Sequence, residues 1–351
     1  MVVALCGCSQ AQSGVPRAAE PIPTSAAPKT FGVTVSTDDR QKLEVAEKIR
    51  AVDPCAFFGE DTVSAHGVIA TLGPETSVGD CEISFWQNEQ RLLSSKITVD
   101  LDGPGLAPSA EDTSKQIAGE TVAVDTRRGS NGDCAYKVPL RFPAQDSGSA
   151  GNPGATVAAP LAYASVSSSS VKPAALGCQL VEATVTNIVT AFRDNRIPRR
   201  DNAMVDVPLA RRSPCELMQH LPLGYEFERI NAETDPYSCT SFLVSPDTKG
   251  FSRALSVKFD VAQEDRAMRP NEDWKAAQVN GKAALISRDS GKEPTCTVIF
   301  PVGPVVDGYR PGAPEVSRIL GRKQVLVQVM ALCKFTDDLV PVAMDLFGAN
   351  G

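Results

Sequence analysis

Eight cysteines divide this chain into two halves of matching layout, and that layout limits the folds open to it. Cys55, Cys81, Cys134 and Cys178 are separated by 26, 53 and 44 residues, and Cys215, Cys239, Cys296 and Cys333 by 24, 57 and 37. Each set opens on Pro-Cys, as Asp53-Pro54-Cys55 and as Ser213-Pro214-Cys215. The second cysteines sit in Gly79-Asp80-Cys81 and Tyr237-Ser238-Cys239, with Phe85 and Phe242 close behind. From Ala118-Gly119 to Cys134 the first half aligns without a gap on Asn280-Gly281 to Cys296, at a constant offset of 162 residues. Phe192 and Phe347 each follow the fourth cysteine of their set by 14 residues. So long a series of coincidences marks a tandem duplication.

Each half reads the same way. Pro-Cys begins a short helical stretch, where proline is tolerated because its missing N–H would be unpaired in a first turn. β-type segments follow the second cysteine, at Ile83–Trp86 and Lys96–Leu101 in the first half and at Thr240–Val244 and Ala254–Phe259 in the second. A hairpin is predicted from 122–125 and 135–140 across the Gly/Asn-rich stretch 128–132, and its counterpart from 283–287 and 297–300. Val325–Met330 reads as a further strand. An apolar-periodic helix closes each half. Val181, Val185, Ile188, Val189 and Phe192 form its face in the first; Leu339, Val340, Ala343, Met344 and Phe347 form it in the second, with Thr336 or Asp337 as N-cap and Gly348 as the stop. The predicted class is α+β: two tandem similar domains, each an antiparallel sheet with flanking helices.

The eight cysteines are widely spaced and include no CxxC pair, which predicts disulfides in an oxidising compartment and no metal site. Cys55 and Cys81 flank the first helical stretch, as do Cys215 and Cys239, so we pair them that way. That leaves Cys134 with Cys178 and Cys296 with Cys333. Four cysteines per half allow three connectivities, and the sequence leaves the other two open. Each bridge of this length is worth roughly 3–4 kcal/mol in the chain-entropy account.

The N-terminus carries an address. Residues 1–8 are short, apolar and rich in small residues, ending Leu5-Cys6-Gly7-Cys8. This resembles a bacterial lipobox, with an aliphatic residue at −3, a small one at −1, and Cys8 as the acylated cysteine; Cys6 would put Leu5 at the −1 position. The stretch is shorter than a secretory apolar region and lacks a basic flank, so residues 1–8 are read as the remnant of a longer signal peptide. Residues 9–36, rich in Ala, Ser, Pro and Thr, read as a flexible tether. The first repeat domain is then 37–198 and the second 199–351. No run of about 20 apolar residues is present, so no spanning helix is expected.

The Pro-Cys opening, the spaced second cysteine, the lipobox and the tether together resemble a family of actinobacterial surface lipoproteins defined by a domain of unknown function, here in two copies. The resemblance covers nearly all of the chain after residue 50. It implies attachment to the outer face of the cell membrane through the lipid anchor, and a compact fold similar to the small sheet-and-helix fold of the PsbP/Mog1 type. It implies no activity.

Little else points to chemistry. A net charge of −7 argues against a nucleic-acid partner. His66 and His220, the only histidines, occupy different places in the two halves, as a duplicated catalytic histidine would not. Asp100-Leu-Asp102-Gly103 begins like a calcium loop but lacks its third acid and its closing Glu. Glu60/Asp61 and Asp337/Asp338 read as helix-start acids. Arg196, Arg199, Arg200, Arg211 and Arg212, with Arg193, cluster around the join between halves. They read either as a grip for an anionic envelope ligand or as a solvated linker. The expectation is a non-enzymatic protein without cofactor or metal, binding a lipid or anionic cell-wall component or a partner protein; a structural role in envelope assembly and, remotely, a cell-wall hydrolase are the alternatives.

Overall fold

The computed structural model describes residues 30–32, 35–87, 95–101, 107–125, 133–142, 162–203, 205–231, 235–244 and 253–348. Cys6, Cys8, residues 9–29 of the tether, the Asp102-Gly103 turn and the stretch 128–132 lie outside the described residues.

In the first half, helix α1 (Thr37–Arg50) is capped by Ser36, whose Oγ accepts the Asp39 N–H at 3.1 Å. A 3-10 turn at Pro54–Phe57 and helix α2 (Glu60–Ser64) lead into strands β1 (Val68–Gly73), β2 (Asp80–Trp86), β3 (Ser95–Asp100), β4 (Thr113–Ile117), β5 (Glu120–Val124), β6 (Ala135–Pro139) and β7 (Tyr163–Ser169), and α3 (Ala174–Arg193) closes the unit. The second half runs through a 3-10 turn at Pro214–Gln219, β8 (Glu226–Asn231), β9 (Ser238–Val244), β10 (Arg253–Gln263), α4 (Glu264–Ala267), β11 (Lys275–Val279), β12 (Lys282–Arg288), β13 (Thr295–Asp307), α5 (Val316–Gly321), β14 (Arg322–Leu332) and α6 (Cys333–Gly348). The sheet orders are β1-β2-β3-β7-β6-β5-β4 and β8-β9-β10-β14-β13-β12-β11, every pairing antiparallel. Both halves therefore build the same seven-stranded sheet, in the α+β class expected.

Side-chain alternation sets the two faces of each sheet. In β3, Ile97 and Val99 are buried and their neighbours half-buried. The inner face of the first sheet, including Val122, Val138, Ala164 and Val166, packs with Leu180, Val181, Val185 and Ile188 of α3. In the second sheet Val298, Phe300, Val327 and Val329 cluster with Leu339, Val340, Ala343 and Phe347 of α6. By length and composition α3 could cross a membrane, contrary to the sequence reading, but its apolar face is spent on the sheet.

Four disulfides occupy matching places. Cys55–Cys81 and Cys215–Cys239 fasten each 3-10 turn to the second strand of its sheet, with Cα separations of 5.2 and 5.3 Å. Cys134–Cys178 and Cys296–Cys333 fasten the sixth-strand region to the closing helix, at 5.1 and 4.6 Å. This is the connectivity inferred from the spacing. The cap of α6 differs from expectation: the helix begins at Cys333, bridged to β13, and Thr336 lies inside its first turn, donating from Oγ1 to Cys333 O at 2.7 Å.

The halves are not cleanly separated at residue 198, nor does the tether reach residue 36 without contacts. Phe31 is 6% exposed and, with Leu43 of α1, packs in the core of the second sheet, while Ile49 and Val52 pack in the first. Helix α1 straddles the seam. The edge of β1 is also covered from the second half: the Leu72 N–H donates to Gly308 O at 2.8 Å and the Arg310 N–H to Ala70 O at 3.0 Å. Beside them the Trp86 indole N–H donates to Ser317 Oγ at 3.0 Å. Pairing an exposed strand edge in this way removes a template for aggregation.

Candidate functional site

The Pro-Cys openings are held by the residue before the proline. Asp53 Oδ1 accepts the Cys55 N–H at 3.0 Å, and Ser213 Oγ accepts the Cys215 N–H at 3.3 Å, the latter completed into a capping box by Glu216. From there the seam is built largely of buried charge. Asp53 is pushed up by burial, against the pull of the Arg200 guanidinium and of backbone N–H groups. Arg200 is 5% exposed and donates from Nη2 to Val78 O at 2.6 Å and to Tyr237 Oη at 3.2 Å. Arg50, also buried and held below its ordinary range by desolvation, donates to Pro236 O at 2.9 Å. The loop carrying Val78 is held in turn by Asp80, whose carboxylate accepts the N–H groups of Glu75, Thr76 and Ser77. Lys96 bridges Glu82 and Glu75, and Lys323 of β14 reaches Glu75 across the seam.

This placement answers what the arginine cluster does. Arg200 does not present its guanidinium to solvent, because its partners lie inside the seam. Arg199 pairs with Asp201 at 3.3 Å; Arg211 donates to Arg200 O and to Asp206, each at 2.7 Å; Arg212 holds Glu216 and the Leu346 carbonyl and lies over the Phe347 ring. Arg196 is exposed, and Arg193 pairs with Asp194. The five arginines are thus not brought together as one open anion grip. Asp235, close by, is half-buried near Lys258, Asp260 and Asp100, and desolvation pushes its carboxyl up to about 6.

The other sequence candidates are dispersed. His66 follows α2 and His220 ends the second 3-10 turn. Glu60 and Asp61 stand in the first turn of α2, and Asp338 accepts a hydrogen bond from Tyr225 Oη at 2.9 Å. Among the described residues no three His, Cys, Asp or Glu side chains are grouped to hold a metal.

A groove of about 350 Å³ lies over the face of the first sheet that points away from α3. The pairings Ser114–Ala123, Ala123–Lys137, Lys137–Ser165 and Pro139–Tyr163 put these residues on that face. At its floor Lys137, 6% exposed, donates to Asp112 at 2.9 Å and faces Asp125 at 3.9 Å. At its end Arg141 meets Glu120 with two hydrogen bonds, of 3.3 and 3.1 Å. Glu120, Pro139 and Arg141 also line an adjoining groove of about 290 Å³ that continues to Val189 and Phe192 at the end of α3. Sequence reading overlooked these residues. A signal was present just past the aligned block, where Lys137 stands against Ile299 at the same offset of 162.

No protein-family model, no curated protein and no solved structure matches the chain.

Proposed function

We propose that this chain is an exported lipoprotein, acylated on Cys8 and held at the extracytoplasmic face of the cell membrane, whose two halves form a non-enzymatic binding module for an envelope ligand. On this reading it belongs with the actinobacterial surface lipoproteins that its motifs resemble, and its halves are variants of the PsbP/Mog1 type of fold. The observation that carries the reading is the set of four cystine bridges at matching places in both halves. Such bridges persist outside the reducing cytosol, and here they follow a lipobox-like Leu5-Cys6-Gly7-Cys8. A binding role, as opposed to a catalytic one, is favoured because most of the deeply buried charges (Arg50, Asp53, Asp80 and Arg200 among them) fasten loops and halves together.

The test is mass spectrometry of the mature protein from an actinobacterial host, first native and then denatured. A denatured mass with acyl chains on Cys8 and a loss of two hydrogens per bridge is expected, with a small molecule retained in the native spectrum. A reduced, unacylated chain overturns the address.

A second reading, an assembly factor that meets a partner protein, is favoured by one feature. Val316, Ile319 and Leu320 of α5 are exposed, as is Val68 on the β1 strand that α5 packs against. Crosslinking in intact cells from cysteines placed on α5 would recover that partner.

A further inference from the structure

The two sheets are copies, so each position in one is a control for the same position in the other. Strand pairing fixes the correspondence independently of sequence likeness. Ala123 pairs with Lys137 as Leu285 pairs with Ile299, and Pro139 pairs with Tyr163 as Pro301 pairs with Leu326. The prolines coincide, yet where the first sheet places Lys137 and Tyr163 the second places Ile299 and Leu326. An aliphatic residue therefore satisfies the fold at the place of Lys137. Burying a lysine there costs desolvation that its ion pairs to Asp112 and Asp125 must offset, a cost the aliphatic counterpart avoids.

We propose that the groove over β4–β7 of the first half is a binding site for a neutral, polyhydroxylated ligand, an extended oligosaccharide. This rests on the reading of the chain as a binding module and names its ligand class. The cations lining the main groove each have a carboxylate partner, Lys137 with Asp112 and Arg141 with Glu120. An anion brought to either cation meets the paired carboxylate, and an apolar molecule would strip water from polar groups without replacing its hydrogen bonds, at about 1–3 kcal/mol for each. A sugar hydroxyl both donates and accepts, and so engages both members of the solvent-facing Arg141–Glu120 pair, over a floor set by the buried Lys137–Asp112 pair. Half-buried Tyr163 supplies an apolar surface for the C–H face of a pyranose or furanose ring. The volume lies in the range of small-ligand sites, about 300–1,000 Å³. The adjoining groove past Arg141 gives the site length, which favours a chain of sugars over a single one.

The test is calorimetric titration of the full, oxidised chain with neutral hexasaccharides of glucose, mannose, galactose and arabinose, and with a hexamer of galacturonate. At least one neutral hexasaccharide is expected to bind with Kd below about 10 mM. The double variant Glu120→Gln/Arg141→Met is expected to weaken it by at least about tenfold, and so is Tyr163→Ala. Lys282→Met, at the place of Glu120 in the second half, should leave affinity unchanged. No neutral sugar bound, tighter binding of galacturonate, or full affinity in the double variant would each overturn the assignment. An acylated chain that retains some other molecule but binds no neutral hexasaccharide removes this inference alone. An unacylated chain whose sugar binding disappears in the double variant removes the address and leaves the groove standing.

Discussion

Arg200 donates from Nη2 to Val78 O at 2.6 Å, so the segment entering the second half is pinned back to a loop of the first. The same nitrogen reaches Tyr237 Oη of the second half, and the guanidinium offsets the buried Asp53 carboxyl. One side chain thus ties three pieces of chain at the seam. Arg200→Ala would leave the buried Val78 carbonyl without this donor and the buried Asp53 carboxyl without its neighbouring cation, an expected loss of about 2–4 kcal/mol in denaturant unfolding of the oxidised protein. Arg200→Lys should recover only part of it, since a compact, strongly hydrated ammonium does not reproduce the placement of the buried guanidinium Nη2. An alanine variant as stable as the parent would show that the seam is held elsewhere.

Gly308 tests the covered edge of β1. A Cβ built there would stand 2.5 Å from Leu72 O, closer than any real contact. Gly308→Ala must therefore displace the strap from β1, costing about 1–3 kcal/mol as overpacking does. Hydrogen exchange gives the readout: the Leu72 amide, which donates to Gly308 O, should lose protection while amides in the β5–β6 pairing keep theirs. Equal protection of Leu72 in variant and parent counts against the strap.

Much of this architecture was legible from cysteines and turns, because both are local. The bridges followed from which cysteines flank a helical stretch, and the hairpin of β12 and β13 from apolar runs around turn residues. Strands β1, β4, β7, β8 and β11 were missed. Lys115 and Gln116 in β4 lie on a solvent-facing edge, and Ser165, Ser167 and Ser168 in β7 give little apolar pattern to read. Helix α1 was missed because its apolar residues serve two cores, Leu43 one and Ile49 the other. The arginine cluster was legible as residues but not as roles. Its partners, Val78, Tyr237 and Leu346, are far away in sequence, and no local pattern announces them.

The hairpin between β4 and β5 turns on Ala118 and Gly119, with φ of 50° and 87°; its counterpart turns on Asn280 and Gly281, with 50° and 75°. Two-residue turns with both residues at positive φ favour Asn-Gly, and alanine is disfavoured there by its Cβ. The second half already holds the better residue. Ala118→Asn should stabilise the protein by about 0.5–1 kcal/mol in denaturant titration. No gain, or a loss, would mean that the larger side chain disturbs its surroundings, such as the Arg193 guanidinium that donates to the residue 118 carbonyl.

Asp235 makes the seam sensitive to pH. Desolvation lifts its carboxyl from 3.8 to about 6, against the Tyr237 N–H and Lys258, which favour the charge, and with Asp260 and Asp100, which oppose it. The folded state therefore binds this proton more tightly than the unfolded chain does. The resulting stability is fully present below about pH 4 and is lost as pH rises through about 6, an effect on the order of 2–3 kcal/mol. Asp53, Asp80 and Glu82 are shifted in the same direction by burial and add to the slope with the same sign. Asp235→Asn keeps an oxygen to accept the Tyr237 N–H, now 2.7 Å from Asp235 Oδ1, and removes the charge. It should flatten the fall in unfolding free energy between pH 4 and 7 and leave the variant more stable than the parent at pH 7.5. A variant whose profile tracks the parent across that window would place the proton elsewhere in the seam.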